Sequence, residues 1–527
     1  MASVGGGWNG IGQTEMSSWW VLRPGNDYGR LMPVNLASKA QASAYWFLRR
    51  RLAHGLLRRS VAMDVEWERN PKLAVWISAV VAGILSLGFF VVGWWHPDGQ
   101  IGQTRIVADS RHGIFVNVDG RLYPALNLVS AQLIAGQPDL PATVGDGEIA
   151  KMPKGPTVGI VGAPVATPVA LSPETSRWAV CDSASPTLAG VPVVTGINGE
   201  LTTGHGAVDL GSGRAALMSF ENQAFVVSGG VRMPIDVSDR AVAGPLGIEV
   251  GQPVVQMSRA LYDAIPAGGR LVVPAVPDAG AASPVDLGVP LVNGAVVTTR
   301  DVATSKDHFY VVVDGGVQAI SPVVAEMLRQ RDTHGLAAAP RVAPDRLAKI
   351  PTRHALDVDF YPESPLQLVD SRDLTVTCSA WERGVDDRQG RLRLLASRVL
   401  PVTTEQARTA IPLVGGGNRG VQADQVVFAQ GAATFVSTTG SAPDSPARET
   451  LWLLDMTGVR YGVPLVDNGA VQGGLGLKLE QARLAPWSML QVWPAGPELS
   501  RAAALTAHGA SDGSAAALPN PNGQGGR

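Results

Sequence analysis

The chain has 527 residues, of which 17% are charged and 45% hydrophobic, with a net charge of −2. That is enough apolar material for real cores, and the length implies more than one folding unit. Two cysteines cannot build a structural zinc site and the eight histidines lack metal-ligand spacing, so no metal or other cofactor, and no nucleic-acid partner, is expected.

Residues 1–34 are rich in Gly and Ser, carry Trp8, Trp19 and Trp20 without a period, and read as a flexible segment. Residues 35–72 read as an amphipathic basic helix beginning at an Asn35 N-cap. Tyr45, Leu48, Leu52 and Leu56 fall at i, i+3, i+7 and i+11 on one face, while Arg49, Arg50, Arg51, Arg58 and Arg59 take the other faces. Tyr45, Leu48, Leu52 and these arginines form a candidate cytoplasmic docking element. It can lie on anionic lipid, dock on a partner's helix, or serve only as a topology-setting charge cluster.

From Leu73 to Trp95 the chain runs for 23 residues without a charge. A helix of that length reaches ~34 Å at ~1.5 Å per residue, enough to cross a ~30 Å hydrocarbon core. Trp76 near one end and Trp94 and Trp95 at the other suit the headgroup layers. Residues 1–72 carry ten Lys and Arg against five Asp and Glu, which holds that side in the cytoplasm and puts the rest of the chain outside. The run starts too late and is too long for a cleaved signal peptide, so an uncleaved signal anchor is expected. Cys181 and Cys378 both lie on the outer side, where a disulfide between them can form; two unrelated buried thiols are the alternative.

The outer segment repeats one pattern four times. A β-branched strand, a Gly turn and a second strand recur at Ile114–Pro124, Ala224–Pro234, Tyr310–Ile320 and Leu451–Gly462. A short helix candidate follows, clearest at Pro322–Arg329, and then an apolar-Pro pair: Met152-Pro153, Ile265-Pro266, Ile350-Pro351 and Trp493-Pro494. From turn glycine to that proline the separations are 33, 36, 35 and 36 residues. The fold class expected is α+β: a single transmembrane helix, then a β-rich region of four hairpin-plus-helix units around a central disulfide-linked β domain. The units fall at 96–164, 219–276, 307–357 and 447–508. The central domain comes in two parts, 165–218 and 358–446, a connector covers 277–306, and a disordered tail takes 509–527.

The spacings that catalysis demands are almost absent. A P-loop needs a lysine after its glycines, yet no Gly-Lys dipeptide occurs, and Gly415–Gly420 reads as a loop. The one nucleophile-elbow match, Gly509-Ala-Ser511-Asp-Gly513, sits in the low-complexity tail without the strand-to-helix turn that motif requires. Asp314 and Asp455 read as turn formers. No catalytic residue is assigned.

Several stretches carry a resemblance. They are Tyr45-Trp-Phe-Leu-Arg-Arg-Arg-Leu52 before the span, Arg121-Leu-Tyr-Pro-Ala-Leu-Asn127, Lys154-Gly-Pro-Thr-Val-Gly-Ile-Val-Gly-Ala-Pro164 and Trp178-Ala-Val-Cys-Asp182. Later come Met257-Ser-Arg-Ala-Leu261, Gly458-Val-Arg-Tyr-Gly462, Ala485-Pro-Trp487 and Gly496-Pro-Glu-Leu-Ser-Arg501. Together they resemble the EccB family, a membrane-anchored core component of the mycobacterial type VII (ESX) secretion machinery. The resemblance implies a single-pass inner-membrane subunit with its C-terminal part in the periplasm, built from repeat domains around a disulfide-bearing centre. It implies partners of the EccC, EccD and EccE type and self-association through the periplasmic domain. The function expected is a structural subunit that helps assemble the export channel. The alternatives are a nucleotide hydrolase of the same system, since the family has carried an ATPase label, and an envelope-anchored receptor or cell-wall-binding protein.

Overall fold

The computed structural model describes residues 38–58, 71–95, 104–509 and 515–517, apart from loop positions 186, 188, 189, 205, 302, 416–419 and 466–468. The chain divides into two compact units, Met1–Trp95 and His96–Arg527.

In the first unit, helix α1 spans Lys39–Arg58. Its N-terminus is fixed by a capping box: Gln41 N–H donates to Ser38 Oγ at 3.3 Å, and Ser38 N–H donates to Gln41 Oε1 at 3.0 Å. The start therefore lies at Ser38-Lys-Ala-Gln41 rather than at Asn35, which falls outside the described residues. Helix α2 spans Pro71–Trp95, with Pro71 at its first position, where a missing N–H costs nothing. Among the described residues, none from Lys72 to Phe89 is buried.

In the second unit, four small sheets share one plan. A first strand (Ile106–Ala108, Arg214–Phe220, Val296–Arg300 and Phe435–Thr439 in turn) pairs antiparallel with the near arm of a hairpin. The hairpins are Ile114–Val118 with Arg121–Pro124, Gln223–Ser228 with Val231–Ile235, Asp307–Val313 with Gly316–Ile320, and Leu451–Leu454 with Arg460–Val463. On the other side the first strand meets a parallel neighbour: Ala142–Thr143, Val255–Gln256, the single bridge at Arg341, and Arg483–Pro486. The first two hairpins turn through Asp119-Gly120 and Gly229-Gly230, whose φ values are all positive, as a two-residue type I′ turn requires.

The apolar-Pro pairs mark where the chain returns to the outer edge of each hairpin. The carbonyls of Pro153, Pro266, Pro351 and Pro494 accept from the N–H groups of Leu122, Arg232, Val317 and Arg460 at 2.9–3.0 Å. Two residues on, Gly155, Gly268, Arg353 and Gly496 donate back to those same four residues. The returning segment covers an edge that would otherwise stay open for pairing with another chain. Glycine stands there because a Cβ would lie 2.1 Å from the Tyr123 ring, 2.8 Å from Met233 Cγ or 2.4 Å from Tyr461 Cε1. In the third sheet Gln318 replaces the bulky residue. Its buried amide accepts from Ala355 and Leu356 N–H and donates to Leu356 O, leaving room for Arg353.

A seven-stranded sheet forms the centre. Its order is Ile411–Pro412, Gln425–Phe428, Val193–Asn198, Thr175–Ser183, Val376–Gly384, Arg391–Ser397, Val208–Asp209. The middle pair is antiparallel, with Cys181 directly opposite Cys378 and Trp178 directly opposite Trp381. Cys181 and Cys378 form a disulfide with an S–S distance of 2.05 Å. Strand alternation puts cysteines and tryptophans on opposite faces. The disulfide face packs with Ile197, Leu395, Val402 and Val427. The tryptophan face packs against Ala260 and Ala264 of helix Arg259–Ala264 and Met489 and Leu490 of helix Trp487–Leu490, together with Trp493. Elsewhere the first and fourth sheets share one core, including Val129, Leu133, Phe435 and Tyr461. The second and third share another, including Val226, Met233, Val311 and Val324.

Several expected boundaries differ from these elements. The border at 218–219 cuts strand Arg214–Phe220. Strand Val296–Arg300 lies in the expected connector yet pairs in the third sheet, and Phe435–Thr439, placed in the central part, pairs in the fourth. Each sheet has at least two short helices after its hairpin rather than one. A leading strand carries no turn signal of its own, and a four- to six-residue helix is too short to show a period. The tail expected to be disordered contributes strand Ala515–Ala517, which pairs with Thr506–His508.

The edge-glycine geometry is directly testable. Gly496→Ala must displace the buried Tyr461 ring and should destabilise the C-terminal unit by about 1–3 kcal/mol. Gly473→Ala, in helix Ala470–Gly474 with open space around its Cα, should be neutral or slightly stabilising. Equal losses of melting temperature for the two variants would contradict the edge account.

Candidate functional site

The residues singled out in the sequence fall in three separate places. Leu73 and Trp76 are exposed on α2, and Trp94 and Trp95 end that helix. Tyr45, Leu48, Arg49, Arg50, Arg51 and Leu52 lie on α1 with their apolar members exposed; Arg58 is its last residue, and Arg59 falls outside the described residues. Cys181 and Cys378 lie buried in the central sheet. No single site gathers them.

Among the described residues, no group of three or more His, Cys, Asp or Glu side chains is placed to hold a metal ion. Most of the Gly415–Gly420 loop lies outside the described residues. The nucleophile-elbow match follows strand Thr506–His508, and the next described element is strand Ala515–Ala517, where that motif would need a helix. Asp455 is occupied within its own turn: Oδ1 accepts from Thr457 N–H and Val459 N–H at 3.0 Å, and Tyr461 Oη donates to Oδ2 at 3.3 Å. Burial, with the Asp455 charge behind it, pushes the Tyr461 hydroxyl up to about 12.

Two polar sites are visible only in three dimensions. Arg460 is 8% exposed and sits against the rings of Trp452 and Trp487, 4.3 and 4.9 Å from their centroids, with Nε donating to Trp493 O at 2.8 Å. Burial lowers its pKa to about 10, and cation–π attraction from both rings partly replaces lost hydration. In the second sheet Arg232 holds the corresponding hairpin position, 3.6 Å from the Tyr262 ring centroid with Nε donating to Tyr262 O. Both arginines clamp a hairpin to the segment that returns along it.

The second site is Asp182, next to Cys181 and 2% exposed. Its carboxylate accepts from Ser258 N–H and Ser258 Oγ–H, each at 2.6 Å, while Ser258 Oγ accepts from Leu261 N–H. The contact joins the central sheet to the N-terminus of helix Arg259–Ala264, at the base of an open cleft of about 490 Å³. Asp424, which also lines that cleft, accepts from Val194 N–H at 2.6 Å. Desolvation raises the Asp182 pKa to about 7; the Ser258 hydrogen bonds oppose that rise and the Asp424 charge adds to it. The folded state therefore binds this proton more tightly than the unfolded chain, whose aspartates titrate near 4. Stability from Asp182 is fully present below about pH 4 and is lost as pH rises through about 7. Asp182→Asn should flatten the dependence of melting temperature on pH between about 4 and 7, the wild type losing a few kcal/mol across that window. Parallel pH profiles for the two proteins would exclude the effect.

The family model described as "Type VII secretion system ESX-1, transport TM domain B" matches residues 34–512. The chain is 39% identical over 493 residues to the ESX-5 secretion system ATPase EccB5 of Mycobacterium tuberculosis (strain ATCC 25618 / H37Rv), covering 92% of this chain and 95% of that protein. It is 36% identical over 480 residues to the ESX-3 secretion system ATPase EccB3 of Mycolicibacterium smegmatis, covering 90% and 91%. Among solved structures, a chain of an intact ESX-5 inner membrane complex superposes with a TM-score of 0.71 at 36% identity, covering 93% of this chain and 99% of that one. An EccB3 dimer from the ESX-3 core complex gives 0.67 at 35%, covering 76% and 99%. With the matched family model and these relatives running almost end to end, the chain belongs to the EccB family of type VII secretion proteins.

Proposed function

We propose that this chain is a structural subunit of an inner-membrane type VII secretion complex, anchored by α2 with its N-terminus in the cytoplasm and its C-terminal unit in the periplasm. The observation that carries this reading is the near full-length likeness to a chain of an intact ESX-5 inner membrane complex. The excess of Lys and Arg before α2 supports the orientation. Four copies of one unit, flanking a central sheet closed by the Cys181–Cys378 bridge, form the periplasmic scaffold. The four equivalent proline-carbonyl bonds and the shared sheet plan support that repeat. Partners of the EccC, EccD and EccE type and a second copy of this chain are the assembly's other members; the dimeric EccB3 structure supports self-association.

A nucleotide-hydrolase role is favoured by one observation, the word ATPase in the names of the relatives. Against it stands the missing P-loop lysine, because no Gly-Lys pair occurs anywhere in the chain.

Three outcomes follow. The detergent-extracted protein should migrate on a native gel in a large assembly whose mass-spectrometric composition includes the other membrane subunits; migration alone would remove the scaffold reading. Purified residues 96–527 should release no phosphate from ATP above trace-ATPase controls, and turnover that tracks the protein would establish the hydrolase. A phosphatase fused after Arg527 should be active in cells, whereas a well-expressed but inactive fusion would reverse the orientation.

A further inference from the structure

Like α2, helix α1 carries large apolar side chains that stand exposed along its length, but it is too rich in arginine to cross a membrane. Tyr45, Leu48, Leu52 and Leu56 form one stripe and are 64%, 59%, 61% and 83% exposed. At ~100° per residue, Arg49 and Arg51 border that stripe on either side, while Arg50 and Phe47 project from the far face. This is the layout of a helix lying in a bilayer surface: apolar residues dip below the headgroups, and flanking arginines extend their stems along the apolar layer with guanidinium groups in the headgroups.

Two further features choose a lipid surface over a partner protein. From Lys39 to Met63 there is no acidic residue, while Lys39, Arg49, Arg50, Arg51, Arg58 and Arg59 are all cationic. Such an unbroken single-sign charge suits a diffuse anionic surface. A protein groove would more often be matched by charges of both signs at defined places. The second feature is the tether. Only twelve residues separate Arg58 from Pro71, where the membrane-spanning helix begins, so even a fully extended connection reaches no more than ~40 Å. The helix is held at high effective concentration beside the membrane whatever else it meets.

We propose that α1 docks on the anionic lipid surface of the leaflet from which α2 departs, inserting the Tyr45–Leu48–Leu52–Leu56 stripe and leaving Phe47 in water. In the cell this assigns α1 to the inner leaflet, which rests on the cytoplasmic orientation proposed above. The test in nanodiscs does not, because both leaflets are open there.

Cys181 and Cys378 are joined, and they are the chain's only cysteines, so one introduced cysteine gives a single reactive thiol. Full-length Leu52→Cys and Phe47→Cys proteins, each carrying an environment-sensitive fluorophore on that thiol, are placed in nanodiscs of phosphatidylcholine with or without phosphatidylglycerol. The Leu52 label should shift to the blue in anionic discs, revert in high salt, and stay in water in zwitterionic discs; the Phe47 label should remain in water throughout. Replacing Arg49, Arg50 and Arg51 together by Gln should lower the docked-to-free ratio roughly 100-fold, at ~1 kcal/mol per Arg. A Leu52 label in water in anionic discs overturns the proposal. So does one shielded equally in both lipids and insensitive to salt. Shielding at Phe47 rather than Leu52 overturns it in favour of a protein partner.

Discussion

The pairing of strand Thr175–Ser183 with strand Val376–Gly384 is the constraint on which the C-terminal unit depends. The two strands come from insertions far apart in the chain, and Cys181 faces Cys378 in register. Pairing them closes a loop of nearly 200 residues, and the disulfide removes about 5 kcal/mol of unfolded-state freedom in the loop-closure picture. Once it is closed, alternation sends Trp178 and Trp381 to one face and the disulfide to the other. The tryptophan face then receives the trailing helices of the second and fourth sheets, so one register decides where two of the four small sheets sit.

The small sheets solve a common problem of β architecture, the open edge. Each hairpin's outer arm is covered by its own returning segment, with a proline carbonyl as acceptor and a residue two positions on as donor. A three- or four-stranded sheet with one covered edge cannot bury both faces alone. Pairwise sharing of cores between the first and fourth and between the second and third sheets supplies the missing cover. Asp182, Arg232 and Arg460 are charged groups held at junctions in this arrangement, each with its charge stabilised by hydrogen bonds or aromatic rings.

The buried polar groups of the C-terminal unit serve pairing and clamping. In the first unit the basic helix α1 precedes the apolar helix α2. Burial raises the Asp182 pKa to about 7, so the stability this carboxyl contributes is present in acid and is lost toward neutral pH.

Much of this was legible along the chain because it depends on local rules. A 23-residue uncharged run can be little other than a membrane helix, and Asp119-Gly120 or Gly229-Gly230 between β-branched runs announces a hairpin. The distances of 33–36 residues from turn glycine to apolar-Pro pair correspond to the return of the chain along each hairpin's outer arm. The leading strands, the parallel fourth strands and the second helices are short runs without a turn signal or a period of their own, and the parallel strands pair with partners dozens of residues away. Asp182, Arg460 and the packing of the sheets in pairs were also beyond reach. Nothing near Asp182 in sequence foretells Ser258, and nothing near Arg460 foretells Trp487. Local propensity determined the apolar helix and the hairpin turns, whereas only long-range register decided which faces meet and which charges are buried between them.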